Sequence, residues 1–338
     1  MKPPIEEENH PEMENLEFNS VDFTDLLSTI NSLKEKEESY DLKRSLVLCD
    51  IMYSDEYKKL MSIFNALFKL KEYSERSYNI VNEVIETVPS YYTAWVYKLE
   101  LVLKLNKDIS EELSWLDEFS LDNLKNYQIW SYRIELIKEY YKKDTSKEAF
   151  KSLLQKENVL TMVMFDEDAK NHHVWSYKSW FINYFDYDLE EYGEEVAYVG
   201  KLIDKDVLNN SAWCFRYKII CDLLKKSNND QKKSLLEEEL EYSEEQIARY
   251  PDNISSWNYH FRMIELMKEN EHTINKDLSE LYETHLNESV YSIEYYAKYL
   301  VMVDKASNRK SIKDLYILLR DHRDPIRKVY WDYKIAQL

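Results

Sequence analysis

Downstream of several tryptophans the apolar residues recur three and four positions apart, as in Trp95, Leu99, Val102 and Leu103, Trp130, Ile134 and Ile137, or Trp257, Phe261 and Ile264. That spacing marks one face of an α-helix. Upstream, Asn126, Asn171, Asn209 and Asn253 each stand four residues before their tryptophan, where a short side-chain oxygen can accept from the orphan amides of a starting helix. The pattern predicts helices that carry their tryptophan on or near the first turn.

Six of the 8 tryptophans begin one word, Trp-x-aromatic-basic: Trp95-Val96-Tyr97-Lys98, Trp130-Ser131-Tyr132-Arg133, Trp175-Ser176-Tyr177-Lys178, Trp213-Cys214-Phe215-Arg216, Trp257-Asn258-Tyr259-His260 and Trp331-Asp332-Tyr333-Lys334. The first five copies are 35, 45, 38 and 44 residues apart, a period that holds one helical hairpin with its loops. A hairpin of this kind cannot bury its apolar face alone, so neighbours must stack. The expected fold is all-α, an α-α superhelix: a crescent-shaped solenoid of hairpins over residues 45–338, preceded by an acidic, partly disordered arm over 1–44 that merges into a helix near Leu26. The 74 residues between Trp257 and Trp331 hold a further helical pair without the word, and Lys225–Gln246 reads as a polar loop and a solvated helix face. An indole at a fixed place in each hairpin is expected to pack the core between repeats, with the basic residue capping a carbonyl or pairing with an acid.

Composition changes this picture little. With 2 glycines and 6 prolines in 338 residues the chain has too few turn-formers for an all-β fold. The 29 tyrosines suit the extensive surface of a two-layer helical stack, where their hydroxyls reach water or a partner. A formal net charge of -19 argues against a nucleic-acid or anionic-membrane surface. Cys49, Cys214 and Cys221 are scattered and read as reduced, buried thiols of a cytoplasmic protein. The acidic start has no apolar core of a signal peptide, no uncharged run has membrane-spanning length, and the sequons at Asn209 and Asn253 carry no weight without a secretory signal.

The segments Lys125-Asn126-Tyr127-Gln128-Ile129-Trp130, Lys170-Asn171-His172-His173-Val174-Trp175, Asn209-Asn210-Ser211-Ala212-Trp213 and Ile254-Ser255-Ser256-Trp257-Asn258-Tyr259 resemble successive prenyltransferase α-subunit repeats. The chain end, Ile326-Arg327-Lys328-Val329-Tyr330-Trp331, and the early segments Tyr53–Tyr57 and Ser74–Arg76 resemble the α subunit shared by protein farnesyltransferase and type I geranylgeranyltransferase. The resemblance implies a crescent wrapped around a separate β subunit that holds the catalytic zinc, with magnesium also expected in the complex, and the isoprenoid pocket. Together the two would move farnesyl or geranylgeranyl from its diphosphate to the cysteine of a C-terminal Cys-a-a-X protein substrate. This chain shows no His-x-x-x-His, Cys-x-x-Cys or other set at metal spacing, so no metal is expected in it.

Lys125 is the candidate catalytic residue. Negative charge grows on the departing diphosphate, and a cation beside a helix N-terminus meets it; the resemblance places a catalytic lysine in the same Lys-Asn-Tyr-Gln word. Gln128, one turn in, can donate to a carboxylate, and the family uses this position for the peptide's C-terminal carboxylate. Tyr127, His172 and His173 match places near the family's active site, although the family usually has Tyr where His172 stands. Adjacent helical histidines point about 100° apart and make a poor chelate. Two other readings compete: the α subunit of Rab geranylgeranyltransferase, whose repeat words differ, and a tetratricopeptide-like scaffold, which wants more glycine and a strict 34-residue unit.

Overall fold

The computed structural model describes residues 17–18, 21–40, 51–274 and 276–338. The chain divides into two compact units, Met1–Asp166 and Glu167–Leu338.

The first unit opens with β1 (Glu17–Phe18) and β2 (Val21–Asp22), a short antiparallel ribbon, and a 3-10 turn at Thr24–Leu26. Helices α1 (Leu27–Tyr40), α2 (Asp55–Leu70), α3 (Glu75–Thr87), α4 (Tyr92–Lys104), α5 (Ile109–Asp122), α6 (Tyr127–Lys143) and α7 (Lys147–Glu167) follow. The second unit holds α8 (His172–Phe185), α9 (Leu189–Lys205), α10 (Asn210–Lys226), α11 (Asn229–Arg249), α12 (Ile254–Glu269), α13 (Ser279–Thr284), α14 (Val290–Asp304), α15 (Arg309–Leu318) and α16 (Lys328–Ala336). Apart from the ribbon, the described residues contain no strand, as the repeat pattern predicts. Within the arm expected over 1–44, residues 17–18 and 21–40 are described, and the latter dock through buried Phe23, Leu26 and Ile30, while Arg76 of α3 pairs with Asp25 at 2.7 Å. The disorder expected in the rest of the arm falls on residues outside those described.

Short loops make neighbours antiparallel, and α3 packs on α4, α5 on α6, α9 on α10 and α11 on α12. The tryptophan-bearing helices then form a layer of their own: α4 lies on α6 in the first unit, and α8, α10 and α12 follow one another in the second, with α14, which carries no tryptophan, packed next on α12. Three of the buried indoles meet the aromatic third residue of the next word. Ring centroids are 5.3 Å apart for Trp95–Tyr132, 5.0 Å for Trp175–Phe215 and 5.2 Å for Trp213–Tyr259. Truncating such an indole to alanine costs about 3–5 kcal/mol.

In the first four words the basic fourth residue is an ion-pair partner. Arg133 donates from Nε and Nη2 to the two oxygens of Glu157 at 2.9 and 2.6 Å, and Arg216 grips Glu239 the same way at 2.7 Å twice. Lys178 reaches Glu195 at 2.5 Å and Lys98 reaches Glu112 at 3.2 Å, all eight groups being buried. Removing one member of such a pair leaves a buried charge and costs about 3–5 kcal/mol. Two of these glutamates also serve the following repeat: Tyr132 donates its hydroxyl to Glu112 at 3.0 Å and Tyr259 donates to Glu239 at 2.5 Å. The sixth word departs from this scheme, because the Trp331 indole donates to Asp324 and Lys334 lies over the Tyr330 ring.

Two further expectations need correction. Cys214 is exposed and Cys221 half-buried, both free thiols: position 214 is the second residue of its word, which the helix turns away from the hairpin; Cys49 lies outside the described residues. The segment between Trp257 and Trp331 contains three helices, α13, α14 and α15, rather than a pair.

Candidate functional site

Four of the tryptophan helices, α6, α8, α10 and α12, start alike on a cap asparagine. Asn126, Asn209 and Asn253 each accept the backbone N–H two residues on, at 2.8, 3.1 and 3.1 Å, as the sequence predicts for a cap. Asn171 caps α8 in the same way through His173 N at 3.0 Å. The amide ends of three of these side chains do something the sequence does not reveal. Asn126 donates to Pro89 O at 2.6 Å, Asn209 to Ala169 O at 3.0 Å and Asn253 to Val207 O at 2.8 Å. Each of those carbonyls also accepts the indole N–H of its own repeat, from Trp95 at 2.8 Å, Trp175 at 3.0 Å and Trp213 at 2.8 Å. One asparagine thus fixes the start of its own helix and staples it to the loop before it. The sequons at Asn209 and Asn253 are consumed in these contacts.

The charges around these starts are sorted. In a chain of net charge -19, α2, α3, α5, α9 and α11 all carry an acidic residue in their first turn, whereas α4, α6, α8, α10 and α12 carry none. The unpaired N–H groups and dipole of a helix start attract anions, and a carboxylate in the first turn would cancel that attraction. The tryptophan helices keep it.

Lys125 lies exposed in the turn that precedes α6, next to the cap Asn126. Tyr127, the first residue of α6, is 62% exposed; its equivalent on α4, Tyr92, is 63% exposed and was not singled out by the sequence. Gln128 is half-buried, and its Nε2 donates to Ser90 O at 3.0 Å. That bond orients the amide and leaves a second N–H for another acceptor. Gln128 was expected to donate outward, and the finding adds an anchor the sequence did not show.

In the second unit His172 opens α8 exposed, and His173 follows half-buried. Their rings lie 3.8 Å apart, inclined by 40°. The 100° divergence expected for neighbours on a helix does not keep them apart, because the first helical residue is flanked by a non-helical cap and its side chain is free to fold over its neighbour. Among the described residues no three His, Cys, Asp or Glu side chains converge as metal ligands. The donor set of zinc does not fit here. Lys170, which stands before the α8 cap as Lys125 does before that of α6, pairs with Asp206 at 3.1 Å.

The comparisons with known proteins agree with this geometry. A family pattern described as "Protein prenyltransferase alpha subunit repeat" matches residues 109–140, 154–185, 192–223 and 236–267, each match joining a helix to the tryptophan helix that follows it. The chain is 33% identical over 301 residues to the protein farnesyltransferase/geranylgeranyltransferase type-1 subunit alpha of Candida albicans, covering 86% of this chain and 92% of that one. It is 30% identical over 307 residues to the protein of the same description from Dictyostelium discoideum, covering 85% and 86%. A geranylgeranyl transferase type-2 subunit alpha from Saccharomyces cerevisiae is more distant, at 23% over 239 residues, 68% of this chain and 71% of that one. The fold is shared with a chain of the solved Candida albicans protein geranylgeranyltransferase-I complexed with GGPP, at a TM-score of 0.73 and 32% identity, covering 86% of this chain and 93% of the other. The chain belongs to the protein prenyltransferase α-subunit family.

Proposed function

We propose that this chain is the α subunit of a heterodimeric Cys-a-a-X protein prenyltransferase, inactive alone, that moves farnesyl or geranylgeranyl from its diphosphate to a cysteine near the C-terminus of a protein substrate. The observation that carries the reading is the absence of carboxylates from the first turns of the tryptophan helices, which suits two anions: the diphosphate and the peptide's terminal carboxylate. Thioether formation breaks the carbon–oxygen bond to diphosphate, and negative charge accumulates on the leaving oxygen in the transition state. Lys125, exposed beside the α6 start, meets that charge as a fixed cation, its effect greater in the transition state than in bound substrate. Gln128, its amide oriented by Ser90 O, donates its remaining N–H to the peptide carboxylate. Tyr127, and in the second unit His172 and His173, are each read as further substrate-binding residues. Zinc, which would hold the substrate thiol as thiolate, is expected in the partner subunit, in keeping with the lack of a converging ligand set among the described residues; magnesium is likewise expected with the complex. The exposed free thiol of Cys214 suits the reducing cytoplasm, where we place the enzyme.

The test is single-turnover prenylation by rapid quench on the reconstituted heterodimer. Lys125→Ala is expected to slow the chemical step roughly 10- to 1000-fold while diphosphate binding changes far less, and Lys170→Ala, whose cation is already paired with Asp206, leaves it near parental. Transfer at the parental rate by Lys125→Ala, or loss of activity through dissociation of the heterodimer, rejects the role.

A further inference from the structure

The last helix carries apolar residues on two opposite faces. Trp331, Ile335 and Leu338 turn inward onto Ile293, Ile312 and Leu319 in the core of the terminal hairpin. On the other side Val329, Tyr330 and Tyr333 of α16, spaced as one helical stripe, are 83%, 38% and 59% exposed, and Ile326 in the 3-10 turn Pro325–Arg327 just before the helix is 96% exposed. An isolated exposed leucine is ordinary, but four contiguous apolar residues with two branched aliphatic side chains almost wholly in water mark an interaction surface.

The charges around the stripe say what it takes. Its carboxylates are consumed: Asp321 and Asp332 pair with Arg320, at 2.7 and 3.2 Å, and Asp324 and Glu294 pair with Arg327. Arg323, Lys328 and Lys334 have no carboxylate within ion-pair distance among the described residues; Arg323 donates to Asn287 O and Lys334 lies over Tyr330. The rim of the stripe is therefore cationic in a chain whose net charge is -19. Its complement is an apolar ridge bordered by carboxylates.

We infer that the Ile326–Val329–Tyr330–Tyr333 stripe is a docking surface for the partner subunit of the heterodimer proposed above, on which this inference rests, and that the partner presents an apolar ridge flanked by Asp or Glu. The aliphatic residues supply burial, and Lys328 and Lys334 supply orientation and a salt-dependent share of the affinity.

The experiment co-expresses the chain with the prenyltransferase β subunit of the same organism and measures the dissociation constant. Assembly of the parent chain tests the heterodimer reading alone. Ile326→Asp/Val329→Asp is expected to weaken assembly at least about 30-fold, the scale of central interface residues, while the isolated variant melts at the parental temperature because both positions are exposed. If that variant misfolds, Lys328→Glu/Lys334→Glu decides: it should weaken assembly about 10-fold at low salt and less at high salt. Parental affinity in the folded variants overturns the inference and leaves the heterodimer intact. Binding of the parent chain to phosphatidylserine vesicles that the double aspartate variant loses, with assembly unchanged, also overturns it and assigns the stripe to a membrane.

Discussion

The indole of Trp213 and the side-chain amide of Asn253 donate to the same atom, the carbonyl oxygen of Val207, each at 2.8 Å. A carbonyl has two lone pairs, and here one goes to the repeat that owns the loop and the other to the repeat that follows. The same arrangement recurs at Pro89 and at Ala169. Successive hairpins are thereby tied at a fixed offset, which a contact made only of apolar side chains would leave freer to slide.

The staple predicts a graded response at Asn209. Asn209→Ala removes both the cap on α10 and the bond to Ala169 O, and is expected to lower stability by about 2–3 kcal/mol. Asn209→Asp keeps the cap acceptor but sets a carboxylate against a carbonyl, so it should be destabilised as well. Urea unfolding of the three chains checks this; an aspartate variant as stable as the parent would show that only the cap matters.

Phe215 holds the place that Tyr132 and Tyr259 hold in neighbouring repeats, against the preceding indole. It has no hydroxyl to give, and Oε2 of buried Glu195 has no hydrogen-bond partner among the described residues. Phe215→Tyr should therefore stabilise the fold by about 1–2 kcal/mol, raising the melting temperature by about 1–3 °C. Tyr259→Phe, which strips the donor from Glu239, should shift it the other way. A lower melting temperature in Phe215→Tyr contradicts the account.

His260 takes the cation's place in the fifth word but is neutral. The Ser243 hydroxyl donates to Leu240 O at 2.8 Å, so His260 Nδ1–H donates to Ser243 Oγ at 3.0 Å. Nε2 is buried without a partner among the described residues. Burial pushes the imidazole pKa down to about 3 from its ordinary 6.5. Between those values the unfolded chain binds a proton that the folded chain refuses, so the stability is whole above pH 6.5 and drains as pH falls toward 3, by at most about 1.4 kcal/mol per pH unit. His260→Asn keeps an N–H near Ser243 and has nothing to titrate. Its stability should depend less steeply on pH between 6.5 and 4 than the parent's; parallel curves would remove His260 from the acid response.

Gln128 is expected to act on the peptide and not on the isoprenoid. Gln128→Ala in the heterodimer should raise KM for a peptide with a free terminal carboxylate by the worth of one hydrogen bond to a charged group, about 1.5–3 kcal/mol at most. A peptide amidated at its C-terminus should be indifferent to the substitution. An equal loss for both peptides would mean that Gln128 only steadies the Ser90 loop.

The tryptophan helices, their order and the asparagine caps that start four of them were legible in the sequence because they are local. Asn126, Asn209 and Asn253 cap the amides two residues on, and the offsets after Trp130 and Trp257 repeat the helical period, so neighbours along the chain suffice to decide them. The word Lys125–Gln128 was legible for the same reason as the start of α6, capped by Asn126. The ion-pair glutamates left a weaker trace: Glu112 between Ile109 and Leu116, and Glu239 between Leu236 and Leu240, stand on apolar faces where an unpaired acid would be too costly. Their partners could be named only by the fold, since Arg216 reaches Glu239 and Tyr259 reaches the same glutamate from the next helix. The second bond of each cap asparagine, the anchor of Gln128 on Ser90, the folding of the His172 ring onto His173, and the outward face of α16 are likewise decisions of tertiary structure. A side chain's second hydrogen-bonding group, or a helix's second face, is assigned by whatever packing brings near it, and one-dimensional spacing holds no record of that.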